Sequence, residues 1–399
     1  MDKRLEDRLR MEVNPEGKNF FKLGCNFDPA FVSMCDELNN KYDKGAKIIE
    51  IYGSDRAHAA LSARPDFRLQ DISLDYLEKT IQDGLDKGIT FNYTMNSIQP
   101  YGSKMDMLAH KKEIQDFVKY LESIGCYRIT IANPMLALII REVSNIELEL
   151  STVAHCDTIS QIKLYKDMLG INKICGNILR NRDKEFLVNA AKYCWEKSII
   201  YEMMINEFCY NTVDQTSSHC ILRDSCYLCH ATNKTKEDAT AYNNYPMGYC
   251  MASRGNTEAG WLRSRYVLPQ WLKKYNELGI HHFKLTGRTG SIEYLRAMAE
   301  AYMSMNYEGN LIELWKPLQS IYTGKSESEE SEKYINIPCS KLGDKFIDHW
   351  LGDKPFKCDD HVCGEGAVGD PTYDNTDGVW HGQYHCDFCK RYYDKYVKE

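Results

Sequence analysis

A (β/α)8 barrel is the fold class the sequence predicts, and three observations predict it. Short β-branched or aromatic runs occur eight times, helical apolar patterns lie between them, and the units repeat about every 30 residues. That fills the ~250 residues of a barrel with room for insertions; a doubly wound open sheet is the alternative.

The strand runs are FKLGCNF (21–27), AKIIEIYG (46–53), GITFNYTMN (88–96), CYRITIANP (126–134), IELELSTVAH (146–155), INKICGNILRN (171–181), SIIYEMMINEF (198–208) and HHFKLTGR (281–288). After the first, Phe31, Met34, Cys35, Leu38 and Tyr42 repeat at the spacing that lines one helix face. Leu74, Leu77, Ile81 and Leu85 do so after the second, and Ile114, Phe117, Val118 and Leu121 after the third. Ile292, Leu295, Met298 and Tyr302 follow the eighth.

The 399 residues, 43% of them hydrophobic, suit one large domain with an appendage. A barrel with a long insertion (209–267) takes 1–324, the serine-rich charged run KSESEESEK (325–333) reads as a linker, and 334–399 form a cysteine-rich tail. A formal charge of −7 argues against non-specific nucleic-acid binding but leaves room for a local basic patch. The opening MDKRLEDRLRMEV is charged rather than signal-like, and no run nears the ~18 apolar residues of a membrane span. The expectation is a cytoplasmic protein with no membrane partner.

Barrel chemistry sits where strands end. Polar residues gather there: Asn26, Tyr52, Asn92, Tyr93, Asn133, Asn177, Asn206 and Arg288 are the substrate-binding candidates. Glu207, His155, Arg180 and Lys284 are the candidates for proton transfer or charge stabilisation. A cleft rich in amides, with few carboxylates, suits a polar or anionic organic substrate, and Arg180, Lys284 and Arg288 would clamp an anionic group.

Sixteen cysteines in a reducing compartment point to metal where they cluster and to core packing where they scatter. Cys209, Cys220, Cys226, Cys229 and Cys250 lie in or beside the insertion, and four thiolates there would hold zinc or a cubic iron-sulfur cluster. Spacing does not separate the two, although Cys209, at a strand tip, would set the metal on the catalytic face. In the tail, Cys358, Cys363, Cys386 and Cys389 form a four-cysteine knuckle, with zinc the first choice and a second cluster the alternative. Cys339 is an alternate ligand for the barrel cluster, folding back from the tail.

Several stretches resemble one family. CNFDPAFV, EIYGSDR, GITFNYTMNS, NRDKEF, INEFC followed by CILR, and VLPQWLKKYNELGIHHFKLTGR make residues 21–318 similar to the collagenase-like peptidase family, peptidase family U32. The resemblance implies a barrel and, in several branches, an iron-sulfur cluster. Asn206, Glu207, Cys209, Cys220 and Arg223 match the family's Asn-Glu pair, its first cysteine and its Cys-Pro-x-Arg element. Val213 stands where close relatives place the second cysteine, and Ile221 replaces the proline. On that basis Cys209, Cys220, Cys229 and Cys250 are the expected 4Fe-4S ligands, with Cys226 as an alternate.

Relatives with such a barrel act in oxygen-independent hydroxylation of RNA bases or of a quinone precursor. The implied activity is therefore redox modification of a polar small molecule, a biosynthetic intermediate or an RNA base, served by an electron donor or partner enzyme. The alternatives are a peptidase and a zinc-stapled binding or scaffold protein. The chain offers no Gly-x-Ser-x-Gly elbow and no His-Glu-x-x-His, which weakens hydrolysis. For an RNA substrate, Tyr242, Tyr245 and Tyr249 would stack bases.

Overall fold

The computed structural model describes residues 17–207, 261–262, 264–315, 336–353, 372–374, 379–381 and 388–398. Eight parallel strands close on themselves: β1 (Asn19–Gly24), β2 (Ala46–Gly53), β3 (Thr90–Met95), β4 (Arg128–Ile131), β5 (Glu147–Leu150), β6 (Lys173–Cys175), β7 (Ile200–Met204) and β8 (His282–Leu285). The β8–β1 pairing, Phe20 opposite His282 through Leu23 opposite Leu285, completes the ring and excludes the open sheet. Seven of the eight strands fall inside their apolar runs, β1 begins two residues before its own, and several end early. After β5, the Ser151 Oγ accepts the Val153 N–H and starts a 3-10 turn; after β6, Asn177 does the same for Leu179. A side chain that offers the backbone a local partner competes with the ladder.

The barrel's helices are α1 (Phe31–Lys41), α2 (Leu74–Asp86), α3 (Lys104–Ala109), α4 (Lys111–Ser123), α5 (Pro134–Arg141), α6 (Ile159–Leu169), α7 (Lys184–Glu196), α8 (Leu272–Glu277) and α9 (Ile292–Ser304). Their starts are encoded locally. Ser73, Ser103, Asn133, Asp183 and Ser291 each accept a first-turn N–H, and Thr158 with Gln161 forms a full capping box on α6. Between β7 and β8 the chain forms a 3-10 turn, Pro269–Trp271, and then the short α8. Leu74 opens α2 yet is exposed, so that helix buries Leu77, Thr80, Ile81 and Gly84 instead.

Side chains alternate across each strand. Phe21, Leu23, Ile129, Ile131, Leu148 and Leu150 pack the sheet against the helices. Their neighbours Lys22, Arg128, Thr130 and Glu149 turn into the barrel, where the fill is polar. Residues 336–353 pack on the barrel wall, with Ile337, Leu342, Phe346 and Trp350 in the same core as the strands. The seat is aromatic: Trp271 stacks on Phe346 at 5.5 Å and donates its Nε1–H to the Leu342 carbonyl. The Arg182 guanidinium lies 4.3 Å from the Trp350 ring centre and 5.2 Å from that of Tyr266. The helix in this segment, α10, spans Asp344–Leu351. No helix among the described residues is long and apolar enough to cross a membrane.

Candidate active site at the barrel mouth

Deep in the barrel, three cations meet three carboxylates. Glu50 accepts from Arg128, from Lys173 Nζ at 2.9 Å and from Asn92 Nδ2 at 3.0 Å. Glu149 accepts from Lys22 and from Asn92 at 2.9 Å, while Lys22 and Lys173 each reach Glu202 at 2.7 Å. All are buried. Burial pushes the Glu50 carboxyl up, but Arg128, Lys173 and Lys22 outweigh it and hold the group well below the usual range. Burial likewise pulls the Lys22 ammonium down, and Glu149, Glu202 and Glu50 more than reverse it. Paired charges of this kind are costly to break, since removing one partner strands the other without water.

The sequence carries a signal for these residues, of which only Asn92 is among the candidates read at the strand ends. Each of the eight apolar runs carries a charged or amide residue within its strand: Lys22, Glu50, Asn92, Arg128, Glu149, Lys173, Glu202 and Lys284. Asn92, expected at the cleft, sits inside this lattice, with Thr130 donating to its Oδ1 at 2.6 Å.

Above the lattice the charge balance changes. Arg288, in the loop after β8, crosses the mouth; its Nη1 donates to Ser54 Oγ at 3.2 Å and Thr94 Oγ1 at 3.3 Å, at the ends of β2 and β3. The Tyr52 ring lies beneath, with Lys284 Nζ 4.4 Å, Lys22 Nζ 5.6 Å and Arg288 Cζ 5.9 Å from its centre. Gly24 permits this packing: a Cβ there would stand 3.1 Å from Arg288 Cβ and 3.2 Å from the Tyr52 hydroxyl. Arg288 is 7% and Lys284 4% exposed, so water can do little for either charge. Among the described residues, neither forms an ion pair, and the Arg288 Nε has no hydrogen-bond partner. Burial lowers the Arg288 guanidinium to about 9, and nearby Arg64 adds to the shift. Lys284 acts through space on the Glu202 carboxylate, whereas no carboxylate is among the groups that shift Arg288; a desolvated cation without a counter-ion is costly unless something supplies the charge.

The other expected site residues are spread along the rim. Asn26 donates to the Gly290 carbonyl at 3.1 Å and ties the first loop to the last. Asn133 caps α5 and donates to the Ile98 carbonyl. Asn177 donates to Asp157 at 2.6 Å and lies 3.5 Å from His155 Nδ1, with His155 in the left-handed region at φ 50°. Arg180 pairs with Asp183 at 2.8 Å and stacks on Phe186. Asn206 locks β7 to β8: it donates to the Thr286 carbonyl at 3.0 Å and accepts the Thr286 N–H at 2.7 Å. Glu207, half-buried, lies close enough to Tyr294 on α9 to raise that phenol beyond what burial does.

Tyr93 does not wall the cleft. Asn92 and Thr94 face inward, so Tyr93 points outward to α4, edge-on to Phe117 at 5.2 Å. There its hydroxyl donates to Asp55 at 2.7 Å, while His58 Nδ1 meets the same carboxylate at 2.9 Å and the His58 ring stacks on Phe117 at 3.5 Å. Burial pushes Asp55 up, and the bonds from His58 and Tyr93 hold it below its ordinary value.

Cys209, Cys220, Cys226, Cys229, Cys250, Cys358, Cys363 and Cys386 lie outside the described residues. Cys339 and Cys389 are buried on the barrel wall, and burial pushes the Cys339 thiol up. The scattered cysteines pack in the core as expected: burial raises Cys25, Cys126, Cys156 and Cys194 to about 12 and Cys175 to about 11. Among the described residues, Glu149, Cys175 and Glu202 have donor atoms within 4.8 Å of one another. They do not fit a metal, because the Lys22 and Lys173 ammonium groups already occupy those carboxylates.

No protein-family model matches the chain. It is 22% identical over 194 residues to a protein of Methanocaldococcus jannaschii named Uncharacterized protease MJ1657, covering 49% of this chain and 54% of that one. The chain thus spans about half the length of the curated relative it matches. Among solved structures it is similar to that of the U32 peptidase Mk0906, with 13% identity, 69% of this chain and 94% of the other covered, and a TM-score of 0.43. It is also similar to D-psicose 3-epimerase, with 10% identity, 53% and 80% coverage, and a TM-score of 0.31.

Proposed function

We propose that the chain is an enzyme of the collagenase-like peptidase kind that carries an iron-sulfur cluster over the barrel mouth and modifies a polar or anionic substrate by redox chemistry, such as oxygen-independent hydroxylation. The observation that carries the reading is where the cysteine-bearing segment is anchored. The chain leaves the barrel at Glu207, beside the Asn206–Thr286 lock. It returns where the Val267 N–H meets the Ile205 carbonyl at 2.8 Å and Asn181 bridges the Met204 and Arg265 carbonyls. Both anchors sit at the end of β7, so the segment that carries these cysteines leaves from and returns to the barrel mouth.

Cys209, Cys220, Cys229 and Cys250 would hold the cluster, which when bound supplies one-electron or Lewis-acid chemistry. The chain's own residues do the rest: Lys284 and Arg288 hold the anionic end of the substrate over Tyr52, and Glu207 moves a proton at the rim. The polar small molecule, biosynthetic intermediate or RNA base would come with an electron donor or partner enzyme. A zinc knuckle at Cys358, Cys363, Cys386 and Cys389 would staple the tail.

The test is purification without oxygen, with iron, sulfide and zinc counted per chain. About four iron and four sulfide, lost in Cys209→Ala and kept in Cys386→Ala, is the expected result. Zinc alone in every variant would overturn it. The name of the Methanocaldococcus relative favours a second reading, a peptidase. Against a cysteine nucleophile among the described residues stands the upward push on their thiols, since the thiolate is the attacking species. Cleavage of a peptide by cluster-free protein would favour the peptidase.

A further inference from the structure

We infer that Arg288 and Lys284 form a seat for one oxyanion group, a carboxylate or a phosphate, on the substrate, held by the Nε–Nη2 edge of the guanidinium and the lysine ammonium above Tyr52. The inference deepens the proposed function and rests on it for the substrate's reaction, but not for its binding.

The geometry sets the donors. Nη1 is tied to Ser54 and Thr94, which fixes the plane of the guanidinium and leaves the opposite edge. That edge presents two parallel N–H groups, the fork that matches two oxygens of a carboxylate or phosphate. Nε is already dry and without a partner. Lys284 and Arg288 both lie over the Tyr52 ring, Nζ 4.4 Å and Cζ 5.9 Å from its centre, and the ammonium brings a third donor.

Charge leads to the same conclusion. Leaving aside the buried charges outside the barrel, Arg182, Arg265, Asp55 and Asp157, the lumen and mouth hold the cations Lys22, Arg128, Lys173, Lys284 and Arg288 against the carboxylates Glu50, Glu149 and Glu202. The lattice neutralises the first three, and the surplus stands at the open end of the barrel, where ligands of this fold bind. Tyr52 and the hydroxyls of Ser54 and Thr94 add no negative charge. An anion is the missing partner, and a low-dielectric site strengthens its hold.

The experiment is calorimetric titration of the full chain with inorganic phosphate and, separately, with acetate at constant ionic strength. Arg288→Met, Arg288→Lys and Lys284→Met are compared with the wild type, and circular dichroism confirms that each variant folds. Saturable binding of either probe, weakened about tenfold or more in Arg288→Met and only partly restored in Arg288→Lys, is the expected result. Phosphate winning identifies a phosphorylated substrate and acetate winning a carboxylate; both uphold the seat. No saturable binding of either probe, or binding unchanged in the variants, overturns it. Because the titration needs no cluster, the two readings fail separately: zinc alone in the anaerobically purified protein, with anion binding kept, would sink the redox reading alone, and an iron-loaded protein blind to both anions would sink the seat alone.

Discussion

The deep interior of the barrel sets Lys22, Lys173 and Arg128 against Glu50, Glu149 and Glu202, each cation within reach of a carboxylate. The mouth sets Lys284 and Arg288 beside hydroxyls and a tyrosine ring. Both groups are buried in one protein, so burial does not distinguish them; compensation does. A compensated lattice gives up stability when any member is removed, while an uncompensated cation costs stability in the free protein and regains it when a ligand arrives. The first region holds the barrel in shape, and the second is ready to bind.

Substitutions probe this contrast directly. Glu50→Gln strips Arg128, Lys173 and Lys22 of a shared partner and should cost ~3–5 kcal/mol in urea denaturation. A cost under ~1 kcal/mol would mean the lattice is water-filled and no different from the mouth.

Acid and base act on the same lattice. Glu50's pKa is depressed in the fold: burial opposes the shift, and the three cations win. Its contribution is present above the unfolded value of ~4.3 and is lost as pH falls through the folded one. Lys173 is the mirror case: burial pulls it down, and Glu202 and Glu50 raise it overall. Its contribution is present below ~10.4 and disappears as pH rises through the folded value. Melting temperature against pH should show a plateau between those limits, and Glu50→Gln should flatten the acid limb.

Asn206→Ala removes the β7–β8 lock and leaves the Thr286 N–H without its acceptor, a loss of ~1–3 kcal/mol measured by thermal denaturation. Arg288→Met should be neutral or stabilising by ~1 kcal/mol while weakening anion binding about tenfold or more, opposite in sign to Glu50→Gln. Thr94 and Ser54 keep each other as partners at 3.1 Å, so the deletion leaves no stranded hydroxyl. Destabilisation comparable to that of Glu50→Gln would make Arg288 structural. Ser54→Ala, the mildest change, should loosen the guanidinium and weaken phosphate binding a few-fold in the same titration.

Much of the fold was legible because barrel patterning is local. The eight apolar runs, the caps at Ser73, Thr158 and Ser291, and the helical faces at Ile114–Leu121 and Leu295–Tyr302 depend on neighbours within a few residues. The candidate site was read less well. Asn133 and Asn206 were placed at the correct rim, but their side chains are used by backbone groups; an asparagine at a strand end can serve a cap or a ligand, and spacing does not choose. Tyr93 was misplaced by a single step of strand parity, which turns it from cleft to helix layer. Asp55 and His58 escaped notice because their link runs through the loop after β2 to Tyr93 on β3.

By itself the sequence determined that strands and helices alternate eight times, that a charged or amide residue stands inside each apolar strand, and that the segment after β7 carries clustered cysteines. Periodicity and spacing are properties of the chain. Only the tertiary structure decided which charges meet. Lys22 and Glu149 are 127 residues apart, and Arg288 finds Ser54 across 234. Barrel closure brings them within hydrogen-bond reach, and the low dielectric of that interior separates cations that have a partner from cations that await one.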